Sequence, residues 1–337
     1  MIEWLRLTDV QRMTSLAQAS YSSGITVKAI EKDWWVTLTL KALFQSAYSE
    51  NLVFKGGTSL SKCWKLIERF SEDIDLGLDP QTFEMNYESN PTKSYVERLK
   101  RKGCEFTSTQ LKAEIEKQFV ALDISQELVS VEAEPIAREF PDTDPQVLHV
   151  RYKSLFDPSD YIVDEVKIEV SVRSTKTPFA TQPVTSILLE MLPDSILNKS
   201  SFPVYVVEPR KTFLEKIFLL HEEFLRPDQS RIRTERMSRH LYDLGKMAGT
   251  EIERDAFSDH ELYANLIKHR EWYSRLPWVD YKTLQTDAIS FIPPAELLPT
   301  YRKDYQTMEE QMIYGSALEF DKLIDNLRAL QERLRGK

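Results

Sequence analysis

Cysteine is nearly absent from this chain. Cys63 and Cys104 are the only two in 337 residues, too few for a disulfide framework or a cysteine-ligated zinc site. Histidine is also scarce, and the five present (His149, His221, His240, His260 and His269) form no His-x-x-x-His pair. No apolar run is long enough to span a bilayer. The opening Met1-Ile2-Glu3-Trp4-Leu5-Arg6 lacks the basic start and apolar stretch of a secretory signal. The expected setting is therefore a reducing cytoplasm, with no membrane partner. Internal repeats and low-complexity segments are missing too. Several catalytic signatures are lacking. Gly57 to Lys62 has a superficial likeness to a phosphate-binding P-loop, but the second glycine is not there. Neither a Gly-x-Ser-x-Gly elbow nor a kinase His-Arg-Asp loop occurs. The net charge of −9 excludes a protein that coats nucleic acid non-specifically, although a local basic groove remains compatible with it.

What the chain does have is an ordinary globular composition, 42% hydrophobic and 29% charged, with length for two domains or one large one. Periodicity predicts helices over 8–21 and 27–48, the second carrying Ile30, Trp34, Leu38 and Leu40 or Lys41 at helical spacing. A strand at 52–55, a helix at 58–69 and a strand at 73–78 follow, then a charged, mostly helical stretch over 91–118. Strands are expected at 128–133, 146–153, 163–172 and 204–207. Beyond Pro203 and Pro209 helices dominate, at 211–225, 233–249, 254–276, 299–312 and 317–335. The expected fold class is α+β, with a mixed-sheet N-terminal domain over residues 1–200 and a helical C-terminal domain over 201–337.

One stretch combines chemistry with spacing. The apolar strand Leu52 to Phe54 runs into Gly56-Gly57-Thr58, and after a helix-sized gap comes Ser71-Glu72-Asp73-Ile74-Asp75. A Gly-Gly turn lets backbone approach a ligand closely, and the helix after it offers free N–H groups to phosphate. Strand residues i and i+2 share a face, so Asp73 and Asp75 are expected to point the same way. Two carboxylates so close repel unless a cation lies between them. The pattern can hold a nucleoside triphosphate and its magnesium ions, as nucleotidyl transfer on two metals requires. A third carboxylate usually comes from a neighbouring strand. Alternation over 163–172 puts Glu169 on the polar face, where it fits either as that ligand or as a solvent-facing residue of an edge strand. Arg69 and Ser71 lie just before the pair. Arg69 reads as a phosphate contact or as a solvated helix end. In the helical half, Lys216 flanks an apolar stripe of Leu214, Ile217, Phe218, His221 and Leu225, a spacing that favours a surface lysine over one reaching into a cleft. Asp243 can bind metal, act as a general base or pair with an arginine. Between them lie Arg226, Arg231, Arg233, Arg236 and Arg239, the best candidate face for a phosphate backbone in an acidic chain.

At these residues the chain resembles the AbiEii/AbiGii-type nucleotidyltransferase toxins, which include the MenT toxins, within the DNA polymerase β-like nucleotidyltransferase superfamily. The resemblance is carried by Phe54-Lys55-Gly56-Gly57-Thr58-Ser59-Leu60, Arg69-Phe70-Ser71-Glu72-Asp73-Ile74-Asp75-Leu76 and Lys167-Ile168-Glu169-Val170-Ser171. Leu214-Glu215-Lys216, Arg239-His240-Leu241-Tyr242-Asp243-Leu244, Glu31-Lys32-Asp33-Trp34-Trp35 and Tyr301-Arg302-Lys303-Asp304-Tyr305 extend it over nearly the whole chain. It implies a two-domain fold and transfer of a nucleotide from an NTP with Mg²⁺ (or Mn²⁺), often to the 3′ end of tRNA, by the toxin of a toxin–antitoxin or phage-defence module with a cognate antitoxin. It also implies that Gly56, Gly57 and Thr58 hold the triphosphate and that Asp73 and Asp75 bind metal. Lys216 would contact nucleotide phosphates, and Asp243 would act in catalysis or hold the geometry. The chain departs from the superfamily in Thr58, where serine is frequent, and in Glu169, where aspartate is. Two other readings stay open: transfer of a nucleotide to a protein hydroxyl, and a non-catalytic nucleotide-binding module.

Overall fold

The computed structural model describes residues 1–158, 162–192 and 201–336. Helices α1 (Asp9–Ser23) and α2 (Val27–Phe44) precede a strand–helix–strand run of β1 (Leu52–Lys55), α3 (Gly56–Lys62) and β2 (Ile74–Leu78). Next, α4 (Lys93–Phe106) passes through a π-helical turn at Thr107–Leu111 into α5 (Lys112–Ala121). Strands β3 (Val129–Ala133), β4 (Gln146–Tyr152), β5 (Glu165–Ser171) and β6 (Phe179–Val184) follow, then α6 (Ile187–Met191) and β7 (Phe202–Val207). After α7 (Pro209–Phe224) no further strand follows among the described residues; the helices are α8 (Ser238–Met247), α9 (Glu251–Ser258), α10 (His260–Tyr273), α11 (Leu298–Gln311) and α12 (Phe320–Leu334).

The strands form one mixed sheet in the order β3-β4-β5-β2-β1-β7-β6. β2 runs parallel to β5 and β1 parallel to β7, while the other neighbours are antiparallel. Strand alternation divides the sheet into two faces. Val166, Ile168 and Val170 are buried on one, and the half-buried Lys167, Glu169 and Ser171 lie on the other. Helix α2 packs on the sheet through β5 and β7 and is buried along nearly its whole length, which explains why its apolar residues are not confined to one stripe. Trp35 stacks on Tyr152, with ring centroids 4.9 Å apart. The charged residues of α2 are buried with partners, as burial of charge requires. Glu31 accepts from Ser154 Oγ and the Leu155 N–H, Lys32 pairs with Glu72, and Asp33 takes Lys62 Nζ and the Ile187 N–H.

The fold is an α+β arrangement in two compact units. The first takes Met1–Trp64, Phe70–Glu88 and Thr92–Val207, the second Lys65–Arg69, Ser89–Pro91 and everything from Glu208. The expected boundary at residue 200 lies outside the described residues; β7, beyond it, belongs to the first unit.

Several elements differ from expectation. The helix expected at 58–69 is only Gly56–Lys62, and Lys65 takes a left-handed φ of 53° as the chain leaves the first unit. Strand β2 begins at Ile74, so Asp73 stands just before it. The expected helix 254–276 is two helices, because Asp259 ends α9 and caps α10 by accepting from the Leu262 N–H. The expected helix 233–249 is the shorter α8, preceded by a loop in which Arg236 has a φ of 57°. Strand β6 and helix α6 were not foreseen. Pro183 inside β6 obscures the strand pattern, and the strand tolerates it by lying at the sheet edge.

Candidate functional site

In the first unit, the turn from β1 into α3 is built around a close approach. Gly56 has a φ of +79°, and a β-carbon there would lie 2.1 Å from Asp75 Oδ2. Glycine is thus required twice, for its backbone and for the space its missing side chain leaves to the carboxylate. Thr58 opens on the same segment but is buried. Its hydroxyl donates to the Asp73 carbonyl at 2.5 Å and lies 2.8 Å from Ser71 Oγ. With its one proton spent on Asp73, Thr58 accepts from Ser71, so the hydroxyls of both residues shape the run into Asp73. Ser59 Oγ donates to the Gly56 carbonyl at 2.9 Å and pins the turn from below.

The sheet register gathers the charges. Lys55 is paired with Asp75, and Asp75 with Glu169, so the three side chains lie in one row on the polar face. Glu169 does not lie on an edge strand: β5 is flanked by β4 and β2. Extending the β2–β5 register by one residue sets Lys167 beside Asp73. The Lys167 ammonium is bonded to Glu169. Burial pulls its proton affinity down, but Glu169, Asp73 and Glu134 together raise it. Strand alternation places Lys167 on the same face as Glu169, but motif reading assigned it no role.

Hard carboxylate oxygens suit Mg²⁺, which typically takes one or two protein carboxylates together with substrate phosphates. Asp73 and Asp75, with the Gly56 cradle beside the latter, fit that pattern. Among the described residues no group of three acidic, histidine or cysteine side chains is arranged to hold a metal ion.

In the second unit, Asp243 of α8 is fully buried between two cations. Arg69 grips it through two parallel bonds, Nε to Oδ1 at 2.7 Å and Nη2 to Oδ2 at 2.8 Å. Lys216 of α7 reaches Oδ2 at 2.9 Å. Burial alone would raise the Asp243 carboxyl, but the charges of Arg69 and Lys216 outweigh it and hold it well below the usual carboxylate range. Such an aspartate is a poor proton acceptor. Its chemistry is to orient and neutralise cations. Lys216 Nζ also lies 3.4 Å from His240 Nδ1. Burial and the charges of Lys216 and Arg239 keep His240 neutral, so that nitrogen can accept. Burial, assisted by Arg69 and opposed by Asp243, lowers the Lys216 ammonium. Two expectations are corrected here. Arg69 is not a solvated helix end: it is 2% exposed and outside any helix. Lys216 is not a surface lysine, being 6% exposed and ion-paired. Both pairings join residues distant in sequence, which local spacing does not reveal.

Asp304 of α11 caps α8. It accepts from the Arg236 and Ser238 N–H groups at 2.6 and 2.9 Å and from Ser238 Oγ at 2.5 Å. The basic stretch is not one helical face. Arg231, Arg233 and Arg236 are exposed in the approach to α8, whereas Arg239 lies in α8 and is half-buried. Glu223 accepts from Arg226 and doubly from Arg233, and Asp228 lies 3.3 Å from Arg231.

A family model described as "Nucleotidyl transferase AbiEii toxin, Type IV TA system" matches residues 39–326, most of the chain. The chain belongs to this family. It is accordingly a nucleotidyltransferase, and the family implies an NTP substrate, a divalent metal and an antitoxin partner. No curated protein matches the chain. The AbiEii match begins inside α2 and ends inside α12, so it includes Gly56, Asp73, Asp75, Glu169, Lys216 and Asp243. No helix among the described residues is long and apolar enough to cross a membrane.

Proposed function

We propose that this AbiEii-family chain transfers a nucleotide from an NTP to an RNA 3′ end, a tRNA end above all, as a cytoplasmic toxin in an antitoxin or phage-defence pair. The observation that carries the reading is the Gly56 turn seated against Asp75, in register with Glu169. A bound Mg²⁺ or Mn²⁺ would supply Lewis-acid stabilisation of phosphate charge, and Asp73 and Asp75 would hold it. Gly56 and Gly57 admit the triphosphate to the backbone, and Thr58 and Ser71 fix the run that carries Asp73. The sheet-bearing residues up to Val207 act as the nucleotidyltransferase domain. The helical residues beyond it contribute Lys216, which contacts nucleotide phosphates, and Asp243, which with Arg69 fixes its position. Arg231, Arg233, Arg236 and Arg239 contact the acceptor backbone.

The test is transfer of labelled nucleotide from each of the four NTPs to total RNA. The unsubstituted chain labels tRNA, and Asp75→Ala does not. Retained transfer by folded Asp75→Ala would overturn the metal role. A second acceptor class is favoured by one observation: Glu223 and Asp228 offset much of the charge on Arg226, Arg231 and Arg233. If label in a cell lysate survives RNase and is lost to protease, the acceptor is a protein hydroxyl. Binding of NTP without pyrophosphate release would leave only a nucleotide-binding module.

A further inference from the structure

Lys167 shares the polar face of the sheet with Glu169, the candidate third carboxylate. It projects from the polar face of β5. Its ammonium is bonded to Glu169, the neighbour of Asp75 in the sheet, and the same register sets Lys167 beside Asp73. A divalent ion shared with Glu169 would have to displace this ammonium or accept a like charge beside it. An ammonium also does part of what a second ion does: it lessens repulsion between Glu169 and the aspartates.

We propose that Lys167 takes the place of a second divalent cation at Glu169, so that the carboxylate face binds one divalent ion with the nucleoside triphosphate rather than two. Lys167 is then a positioning residue, acting through Glu169. This rests on the reading that Asp73 and Asp75 hold a divalent ion.

Mn²⁺ is the probe. The full chain is saturated in turn with the α,β-methylene analogues of the four ribonucleoside triphosphates, and bound Mn²⁺ is counted by equilibrium dialysis and electron paramagnetic resonance. The unsubstituted chain binds one Mn²⁺. Lys167→Met binds a second at least about tenfold more tightly than any residual second site in the unsubstituted chain, with the spin coupling of neighbouring ions. Lys167→Arg keeps the charge and stays at one, which separates charge from folding. Two coupled ions in the unsubstituted chain overturn the proposal, as does a count unchanged in Lys167→Met. No Mn²⁺ at all, with analogue bound, removes the metal reading of Asp73 and Asp75 as well, and so identifies which of the two ideas failed.

Discussion

Lys32 of α2 and Glu72 form a buried ion pair, Nζ to Oε2 at 2.9 Å, and Glu72 is the residue directly before Asp73. The Glu31-Lys32-Asp33 run of α2 is therefore tied by charge to the segment that leads into Asp73. Removing one partner of a buried pair leaves the other uncompensated, which costs about 3–5 kcal/mol. Lys32→Met should lose stability on that scale in urea denaturation. The double variant Lys32→Met, Glu72→Met should recover most of it, because the pair itself adds little net stability. If the double variant is as unstable as the single, the charge argument is wrong and packing is the cause.

Gly56→Ala should abolish nucleotide transfer. The added methyl meets Asp75 Oδ2, and the φ of +79° adds strain of about 1–2 kcal/mol. Gly24 provides the control, since its φ is +74° and no atom lies within 4 Å of its would-be β-carbon. Gly24→Ala should show about 1–2 kcal/mol of destabilisation with transfer intact. Equal activity in the two variants would argue that the Asp75 approach is irrelevant.

Asp243→Asn should cost about 3–5 kcal/mol at neutral pH, since Arg69 and Lys216 lose their buried counter-charge. The pH dependence follows from the lowered carboxyl. An unfolded aspartate titrates near about 3.9. A folded value below that adds stability fully present above it and lost as pH falls further. The stability gap between the unsubstituted chain and Asp243→Asn should be flat from about pH 5 to 7 and shrink below about pH 4. Urea melts across that range decide it; a gap that persists unchanged to pH 3 counts against the ion pair.

Asp304→Ala should weaken the start of α8. The lost cap is worth about 1–2 kcal/mol, and hydrogen exchange should quicken at the Arg236 and Ser238 amides in particular. Uniform quickening across the second unit would point to general unfolding instead.

The motif around Gly56 and Asp75 was legible because every residue in it is a near neighbour in sequence or follows strand alternation. Glu169 was legible for the same reason, although only the register of β5 beside β2 removed the edge-strand reading. Arg69 was not, because its partner Asp243 is 174 residues away and no spacing rule spans that distance. Spacing alone misjudged Lys216 by a rule that fits most flanking lysines; the family resemblance already pointed the other way, and its burial against Asp243 removes the surface reading. The helical half was read too generously at Asp259, which ends one helix and caps the next.

The bond between Arg69 and Asp243 also has an order in time. A chain is made from its N-terminus, so the Gly56 and Asp75 motif leaves the ribosome long before α8. Until Asp243 follows, Arg69 and Lys216 lack the carboxylate they share, and the segment Lys65–Arg69 waits for the later residues of its own unit. A product cut short by interrupted synthesis would carry the motif without the aspartate. Under the role proposed for Lys216 and Asp243, such a product would not transfer nucleotide.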